Sequence, residues 1–187
     1  MEMLRKAIER YAPCDAQEAQ DRQMLLYAID RLDSPLTRDN PFAHFTASSW
    51  IVNQDRTRAL MAWHNIYRTW AWTGGHADGD RDLLAVALRE AREETGIQDI
   101  HPVSPEIYSL EVIPVNAHVK RGKFVSSHLH MNVTYLLEAD DAQPLRVKPD
   151  ENSAVGWFSL EEAVAASSEE WFRERIYSKL NEKLKRL

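Results

Sequence analysis

A single amphipathic helix in the middle of the chain, with β-type sequence on both sides of it, is the feature that most constrains the fold. Residues 83–94 repeat apolar side chains at helical spacing, and Asp82 and Gly96 are suited to its two ends. The segments around it are rich in β-branched and aromatic residues: TASSWIVN, TRALMAWH, RTWAW, SPEIYSLEVIPVN, SHLHMNVTYLLEA and SAVGWFSL. Strands before and after one central helix, framed by terminal helices, predict an α/β domain with a mixed sheet.

The two ends of the chain are predicted to be helical. Residues 1–32 carry apolar side chains at helical spacing, and the stretch DSPLTRDNPF that follows contains two prolines and several turn-forming residues. We therefore expect a helical segment and linker at residues 1–41 and the main domain at residues 42–187. Ser159 and Glu162 form a capping-box pattern that starts a helix after the last strand, and the C-terminal tail is amphipathic.

Composition and charge exclude several classes of protein. The 187 residues are 44% hydrophobic and carry a net charge of −6, which leaves no basic excess to bind nucleic acid. Cys14 is the only cysteine, so an internal disulfide and a cysteine-based zinc site are excluded. The charged N-terminus is not a signal peptide, and no apolar run is long enough to cross a bilayer. We expect a cytoplasmic protein with neither a membrane nor a nucleic acid as partner.

Three glutamates, Glu90, Glu93 and Glu94, share an arc of about 100° along one edge of the central helix. Such clusters are commonly solvated helix faces, which is the first alternative. However, Glu90 and Glu94 are like charges at i and i+4, which destabilise a helix unless something compensates for them. A hard divalent cation would compensate, because carboxylate and carbonyl oxygens are its preferred ligands.

The stretch GGHADGDRDLLAVALREAREETGI, residues 74–97, resembles the Nudix box, G-x5-E-x7-R-E-U-x-E-E-x-G-U, in which U is a bulky aliphatic residue. The positions in register are Gly75, Arg89, Glu90, Glu93, Glu94, Gly96 and Ile97. Ala91, at the first U position, is smaller than usual, and Arg81 stands where the box has its first glutamate. The later VGWFSLEEA also looks like the family.

This resemblance implies a Nudix-type α/β/α sandwich to which the N-terminal helical segment is added. It also implies hydrolysis of a nucleoside diphosphate linked to another group, such as ADP-ribose or an NTP-like small molecule, with Mg²⁺ or Mn²⁺. By the same resemblance Glu93, Glu94 and the Gly75 carbonyl are metal ligands, and Glu90 is a further ligand or helps deprotonate the attacking water. Arg89 would orient the glutamates.

The arginine at position 81 departs from the box. Family members often pair the missing glutamate with the box arginine, which Arg81 cannot do. Asp80 or Asp82, adjacent in the loop, is the candidate replacement. If neither replaces it, metal affinity or loop rigidity is expected to be weaker than usual.

Residues outside the box are the candidates for binding the substrate. Trp72, with the aromatic residues before it, either stacks on a base or belongs to the core of the sheet. His128 and His130 share one sheet face, and with His76 or His118 they form a metal or phosphate patch or remain polar residues on a wet strand. Lys120, Arg121 and Lys123 either attract phosphates or flank a hairpin turn at Gly122. Glu151 is the candidate for a further glutamate, ligand or base, from a loop beyond the sheet.

Two other functions compete with the hydrolase. Isopentenyl diphosphate isomerase shares the fold, but it is expected to need an active-site cysteine, and Cys14 is far from the box. A catalytically weak nucleotide-sensing domain fits the change at Arg81, although such domains tend to lose box carboxylates and here all three remain. A homodimer is compatible with the family resemblance.

Overall fold

The computed structural model describes residues 1–120 and 122–187. In chain order the elements are α1 (Glu2–Arg10), α2 (Ala16–Arg31), β1 (Ala43–Val52), β2 (Arg58–His64), β3 (Thr69–Ala71), β4 (Thr73–His76), α3 (Leu83–Thr95), β5 (Ile100–Pro102), β6 (Ser109–Val115), β7 (His118–Lys120), β8 (Lys123–Val125), β9 (His128–Ala139), β10 (Asn152–Ser159), α4 (Leu160–Ala166), a π-helical segment (Phe172–Tyr177) and α5 (Ser178–Leu184). None of the helices in these ranges is both long enough and apolar enough to cross a membrane.

The sheet is mixed, as the sequence predicts. β1 and β9 pair in parallel from Ala43 opposite Leu129 to Val52 opposite Glu138, and the other pairings are antiparallel. The central path runs β10-β2-β1-β9-β5, with β3 beside β2, β4 beside β1 and β6 beside β9. All ten residues of β1 are buried, as expected of a strand with a layer on each face. β7 and β8 form a separate hairpin.

Helices cover both faces of this sheet. Because side chains alternate along a strand, Phe45, Ala47 and Ile51 of β1 pack in a core with α1, α2 and α3. Trp50 and Val52 point to the other face and pack in a second core with α4, the π-helical segment and α5. The fold is therefore the predicted α/β/α sandwich.

The N-terminal helical stretch is divided in two. The predicted helix over residues 1–32 breaks after Arg10, and Asp15 starts the second helix by accepting a hydrogen bond from the Glu18 amide. Leu4, Ile8 and Leu25 are buried in the same core as α3. These helices thus share a core with the sheet, and a separable unit at residues 1–41 stays a prediction.

A network of buried polar side chains, which we call the polar ladder, crosses one face of the sheet. The hydroxyl groups of Thr46 and Ser48 both donate to Asn132 Oδ1, each over 2.9 Å. Asn132 Nδ2 donates in turn to Glu111 Oε2 over 3.0 Å. Ser109 Oγ lies within hydrogen-bonding distance of both Glu111 and Glu18, which carries the ladder on to α2.

Two lysines from the C-terminal end of the chain neutralise the inner end of the ladder. Lys179 Nζ lies 3.3 Å from Glu18 Oε1 and 3.2 Å from Glu111 Oε1, and Lys183 Nζ lies 2.9 Å from Glu18 Oε1. Burial alone would raise the pKa of Glu18, but Lys179 and hydrogen bonds to the carboxylate lower it to about 2. The lowered pKa means that these contacts stabilise the folded state above the ordinary glutamate pKa, and that this stabilisation is lost as the pH falls towards 2.

We expect Lys179→Met to lower the free energy of unfolding by about 3–5 kcal/mol at neutral pH, because it leaves a buried carboxylate without its cation. Urea denaturation followed by circular dichroism measures the loss. Lys185→Met is the matched control, since Lys185 pairs with Glu182 where both side chains are more than half exposed. Equal effects of the two substitutions would contradict a stabilising role for the inner end of the ladder.

Candidate active site

One cleft of about 890 Å³ collects side chains from β1, β4, α3 and β9 and from residues 148–152. Helix α3 supplies its acidic wall. The Asp82 side chain caps the helix by accepting from the Ala85 amide, and Gly96 ends it in the left-handed conformation, as the sequence predicts. Val86, Ala87 and Ala91 are buried against the sheet. This packing fixes the rotation of the helix and turns its glutamates towards β4.

Three carboxylates meet in the cleft. Glu90 and Glu94 of α3 and Glu151 each offer an oxygen atom, and these oxygens lie within 4.8 Å of one another. Glu151 is held near them because the neighbouring Asn152 side chain donates to the Glu94 carbonyl over 2.9 Å. The structure therefore brings the predicted loop glutamate together with two glutamates of the helix.

Burial and neighbouring negative charge make Glu90 and Glu94 costly to ionise. Burial raises the pKa of Glu94 well above its usual value, and the charges of Glu90 and Glu151 raise it further. Burial, with the neighbouring Glu93, also raises the pKa of Glu90. Lys148 offsets only part of this charge, with its Nζ 3.0 Å from a Glu151 oxygen. The negative charge of these carboxylates is only partly neutralised by protein side chains, and a divalent cation would neutralise the rest.

Gly74 and Gly75 are required by the close approach of other elements. Both residues lie in β4, and neither has a positive φ. A Cβ atom on Gly75 would lie 2.4 Å from Cδ of Glu90, and one on Gly74 would lie 2.5 Å from Oγ of Ser48. The glycines let β1 and α3 approach β4 from two sides, and the Gly74 amide donates to Glu94 Oε1 over 3.4 Å.

The chemistry of this donor set fits Mg²⁺ or Mn²⁺. Carboxylate oxygens are hard ligands, and several of them gathered around one point, with backbone glycines that allow close approach, suit a hard cation. Glu93 lies outside the group of three: its carboxylate pairs with Lys148 over 2.8 Å, and its side chain is 46% exposed. The assignments of Glu93 and of the Gly75 carbonyl as ligands stay predictions.

The structure separates the roles of the two aspartates beside Arg81. Asp80 Oδ2 lies 3.7 Å from Nη1 of Arg89, and Nη2 of the same arginine lies 3.4 Å from Glu90 Oε1. Asp82 instead caps α3, and Arg81 is exposed. Of the two aspartates, Asp80 is therefore the one that lies beside Arg89, and its replacement of the missing glutamate stays a prediction.

Three of the predicted histidines gather in the same cleft, and His44 joins them. His76, His128 and His130 surround His44, whose ring centroid lies 4.9–5.1 Å from each of theirs. His118 lies apart, with its ring 6.5 Å from that of Tyr67. The sequence analysis missed His44, although polar residues at alternate positions of an otherwise apolar strand were the available signal.

Trp72 packs in the second core, and its role in stacking on a base stays a prediction. Its ring lies edge-on to Phe172 and Tyr177, with centroids 6.0 and 5.6 Å away, yet it also lines the cleft. Its amide donates to the Tyr177 hydroxyl over 3.2 Å. The hairpin turn at Gly122 is present between β7 and β8, whereas Arg121 lies outside the described residues.

Comparison with known proteins identifies the family. The model of the NUDIX domain matches residues 43–180, which is most of the chain. No curated protein sequence matches this chain significantly. Three solved structures illustrate the similarity of fold. A NUDIX-family hydrolase from Clostridium perfringens is 21% identical, with a TM-score of 0.53 over 76% of this chain and 96% of that one.

The other two structures were solved as complexes. The Caenorhabditis elegans Ap4A hydrolase binary complex is 16% identical, with a TM-score of 0.52 over 76% of this chain and 95% of that one. The NUDIX domain of Shewanella oneidensis NrtR, complexed with ADP ribose, is 15% identical, with a TM-score of 0.52 over 86% and 95%. At these identities the structures support the fold alone, whereas the family model spans both the box helix and the sheet. The chain belongs to the Nudix family and is a hydrolase of the class that acts on diphosphate bonds.

Proposed function

We propose that this protein hydrolyses the diphosphate bond of a nucleoside diphosphate linked to another group, with Mg²⁺ or Mn²⁺ as cofactor. The observation that carries the proposal is the meeting of Glu90, Glu94 and Glu151 within 4.8 Å, in a cleft where Lys148 and Arg89 offset only part of their charge. Such an arrangement costs folding free energy, which is unexpected for a merely structural cluster and expected for a site that binds a cation and an anionic substrate.

The roles of the residues follow from their positions. A bound metal ion would supply positive charge to a diphosphate and would lower the pKa of a water molecule that attacks it. Glu94, the most buried of the three carboxylates, is a ligand in this proposal, together with Glu90. Glu151, which is more exposed and hydrogen-bonded to Lys148, is placed to accept a proton from water. Arg89, between Asp80 and Glu90, orients the Glu90 carboxylate.

The walls of the cleft suit a nucleotide. Tyr67, Trp72 and Phe172 line it on one side, and aromatic rings of this kind stack on a base. Its volume of about 890 Å³ is within the range of pockets that enclose a small molecule. The Ap4A hydrolase and the NUDIX domain complexed with ADP ribose share this fold, and we propose a ligand of the same chemical class, a nucleoside diphosphate derivative, as the substrate of this chain. A cytoplasmic location and a homodimer stay predictions.

A nucleotide-sensing domain without catalysis is the second candidate, motivated by Arg81. Against it, Asp80 lies next to Arg89 as the missing glutamate would. A panel of ADP-ribose, dinucleotide polyphosphates, nucleotide sugars, oxidised nucleotides and coenzyme A, assayed for phosphate release with a coupled phosphatase, separates the candidates. Turnover of one substrate well ahead of the others supports the hydrolase. Nucleotide binding by calorimetry without turnover on any of them would favour the sensor.

We expect Glu94→Gln to lower turnover by at least about 100-fold, because loss of a mere partner of a metal ligand already costs 10–100-fold. The same change should raise the melting temperature of the metal-free protein by about 2–4 °C. The raised pKa of Glu94 means that its ionisation destabilises the folded state as the pH rises, and glutamine removes that charge while it can still accept from the Gly74 amide.

Glu93→Gln is the control for this stability effect, because Glu93 is partly exposed and paired with Lys148. It should leave the melting temperature unchanged or lower it slightly. A Glu94→Gln variant with wild-type turnover would remove Glu94 from the metal site. A Glu94→Gln variant that is inactive but has an unchanged melting temperature would mean that ionisation of Glu94 does not destabilise the folded protein.

We expect Asp80→Asn to raise the Mg²⁺ concentration needed for half-maximal activity by up to about 5-fold, the equivalent of ~1 kcal/mol for a partly exposed ion pair. Arg81→Glu should change it little, since Arg89 already has an acidic partner. Magnesium titrations of both variants make the comparison. A clear gain in Arg81→Glu, with no loss in Asp80→Asn, would show that Asp80 does not replace the missing glutamate.

A further inference from the structure

Four histidines meet where β1, β4 and β9 lie side by side. His44 of β1 is directly opposite His130 of β9, and His76 of β4 is opposite Thr46 of β1. His128 precedes His130 by two positions and therefore lies on the same face of the sheet. The imidazole rings thus converge through strand pairing, from three elements that are far apart in sequence.

His44 is the buried centre of this group. It is 5% exposed, and among the described residues neither of its ring nitrogens has a hydrogen-bond partner. A buried polar atom left without a partner costs about 1–3 kcal/mol. One nitrogen of a neutral imidazole carries a lone pair, so the His44 ring has a nitrogen that can bind a metal ion.

The spacing of the nitrogen atoms suits a metal ion. His44, His76 and His130 each offer a ring nitrogen, and these three atoms lie within 4.8 Å of one another. Nε2 of His128 lies 3.3 Å from Nε2 of His130. Two nitrogens bound to one tetrahedral zinc ion at about 2.0–2.1 Å are themselves about 3.3–3.4 Å apart. Small side-chain rotations would bring the remaining nitrogens to this separation.

His128 has the hydrogen bond that orients a metal-binding imidazole. Its Nδ1 lies 2.8 Å from the carbonyl oxygen of Ser126, which can only accept, so Nδ1 carries the proton. In the neutral ring Nε2 then has its lone pair directed at the other histidines. Metal-ligating histidines commonly donate their second ring N–H to a backbone carbonyl in this way.

The environment favours the neutral, ligating form of the central ring. His44 is buried, where an uncompensated charge on its ring would be costly. Four protonated imidazoles at these distances would repel one another, and the acidic group of Glu90, Glu94 and Glu151 is a separate cluster of the cleft. A patch of protonated histidines that binds phosphate is therefore disfavoured at the position of His44.

We propose that His44, His76 and His130, with His128 beside them, form a site for one zinc-class transition-metal ion, separate from the carboxylate site. Imidazole nitrogen suits Zn²⁺ and its neighbours, whereas Mg²⁺ prefers oxygen ligands. The cluster lines the same cleft as the carboxylates, so the cleft then holds two candidate metal sites that differ in ligand chemistry.

The test measures metal binding directly, without substrate. Equilibrium dialysis against ZnCl₂ in excess MgCl₂ gives the stoichiometry, and the visible absorption of Co²⁺ reports nitrogen ligation in a four- or five-coordinate site. We expect one Zn²⁺ per chain and a Co²⁺ spectrum in the wild type, and at least about a 10–100-fold loss of affinity in His44→Gln. His130→Gln serves in its place if thermal melting shows that His44→Gln does not fold.

Two controls assign the site. His101→Gln should bind Zn²⁺ like the wild type, because His101 lies on β5 with its side chain 59% exposed. Glu94→Gln should also retain Zn²⁺ binding, so this result is independent of whether the carboxylate site is catalytic. No Zn²⁺ bound by the wild type would overturn the proposal. Zn²⁺ binding that survives in His44→Gln and His130→Gln but disappears in Glu94→Gln would also overturn it. The same holds if inorganic phosphate binds through His44 in the absence of metal.

Discussion

The parallel pairing of β1 with β9 is the contact on which the rest of the molecule depends. It runs the full length of β1, from Ala43 to Val52, and places each side chain of one strand beside its counterpart on the other. The side chains of Phe45, Ala47 and Ile51 build the core that contains α1, α2 and α3. The side chains at the alternate positions of β1 contribute to the second core, the cleft wall and the polar ladder. A shift of one residue in this register would exchange the two sets.

Local patterns predicted the parts of the fold that are decided locally. The caps of α3 at Asp82 and Gly96 and the capping box at Ser159 could be read from the sequence, because each depends on residues within one turn. The spacing of the box glutamates likewise gave the helix face on which Glu90 and Glu94 lie. The mixed sheet followed from the order of strands and helix.

What the sequence could not provide depends on contacts between distant segments. His44 meets His130 only through strand pairing, and Glu151 reaches Glu94 only because Asn152 bonds to the end of α3. The two glycines of β4 also have a non-local cause, which is the close approach of Glu90 and Ser48. The position of β4 between β1 and α3 decides this, and no local pattern encodes it.

The polar ladder makes α2 part of the charge balance in the interior of the protein. Its inner end contains two carboxylates, Glu18 and Glu111, and two ammonium groups, Lys179 and Lys183, so that the buried charges cancel. Glu18 belongs to α2, ahead of the sandwich itself. A chain without α2 would keep both lysines and lose one of the two acids. Helix α2 therefore supplies the partner of Lys183 and one of the two partners of Lys179, which ties it to the charge balance of the interior.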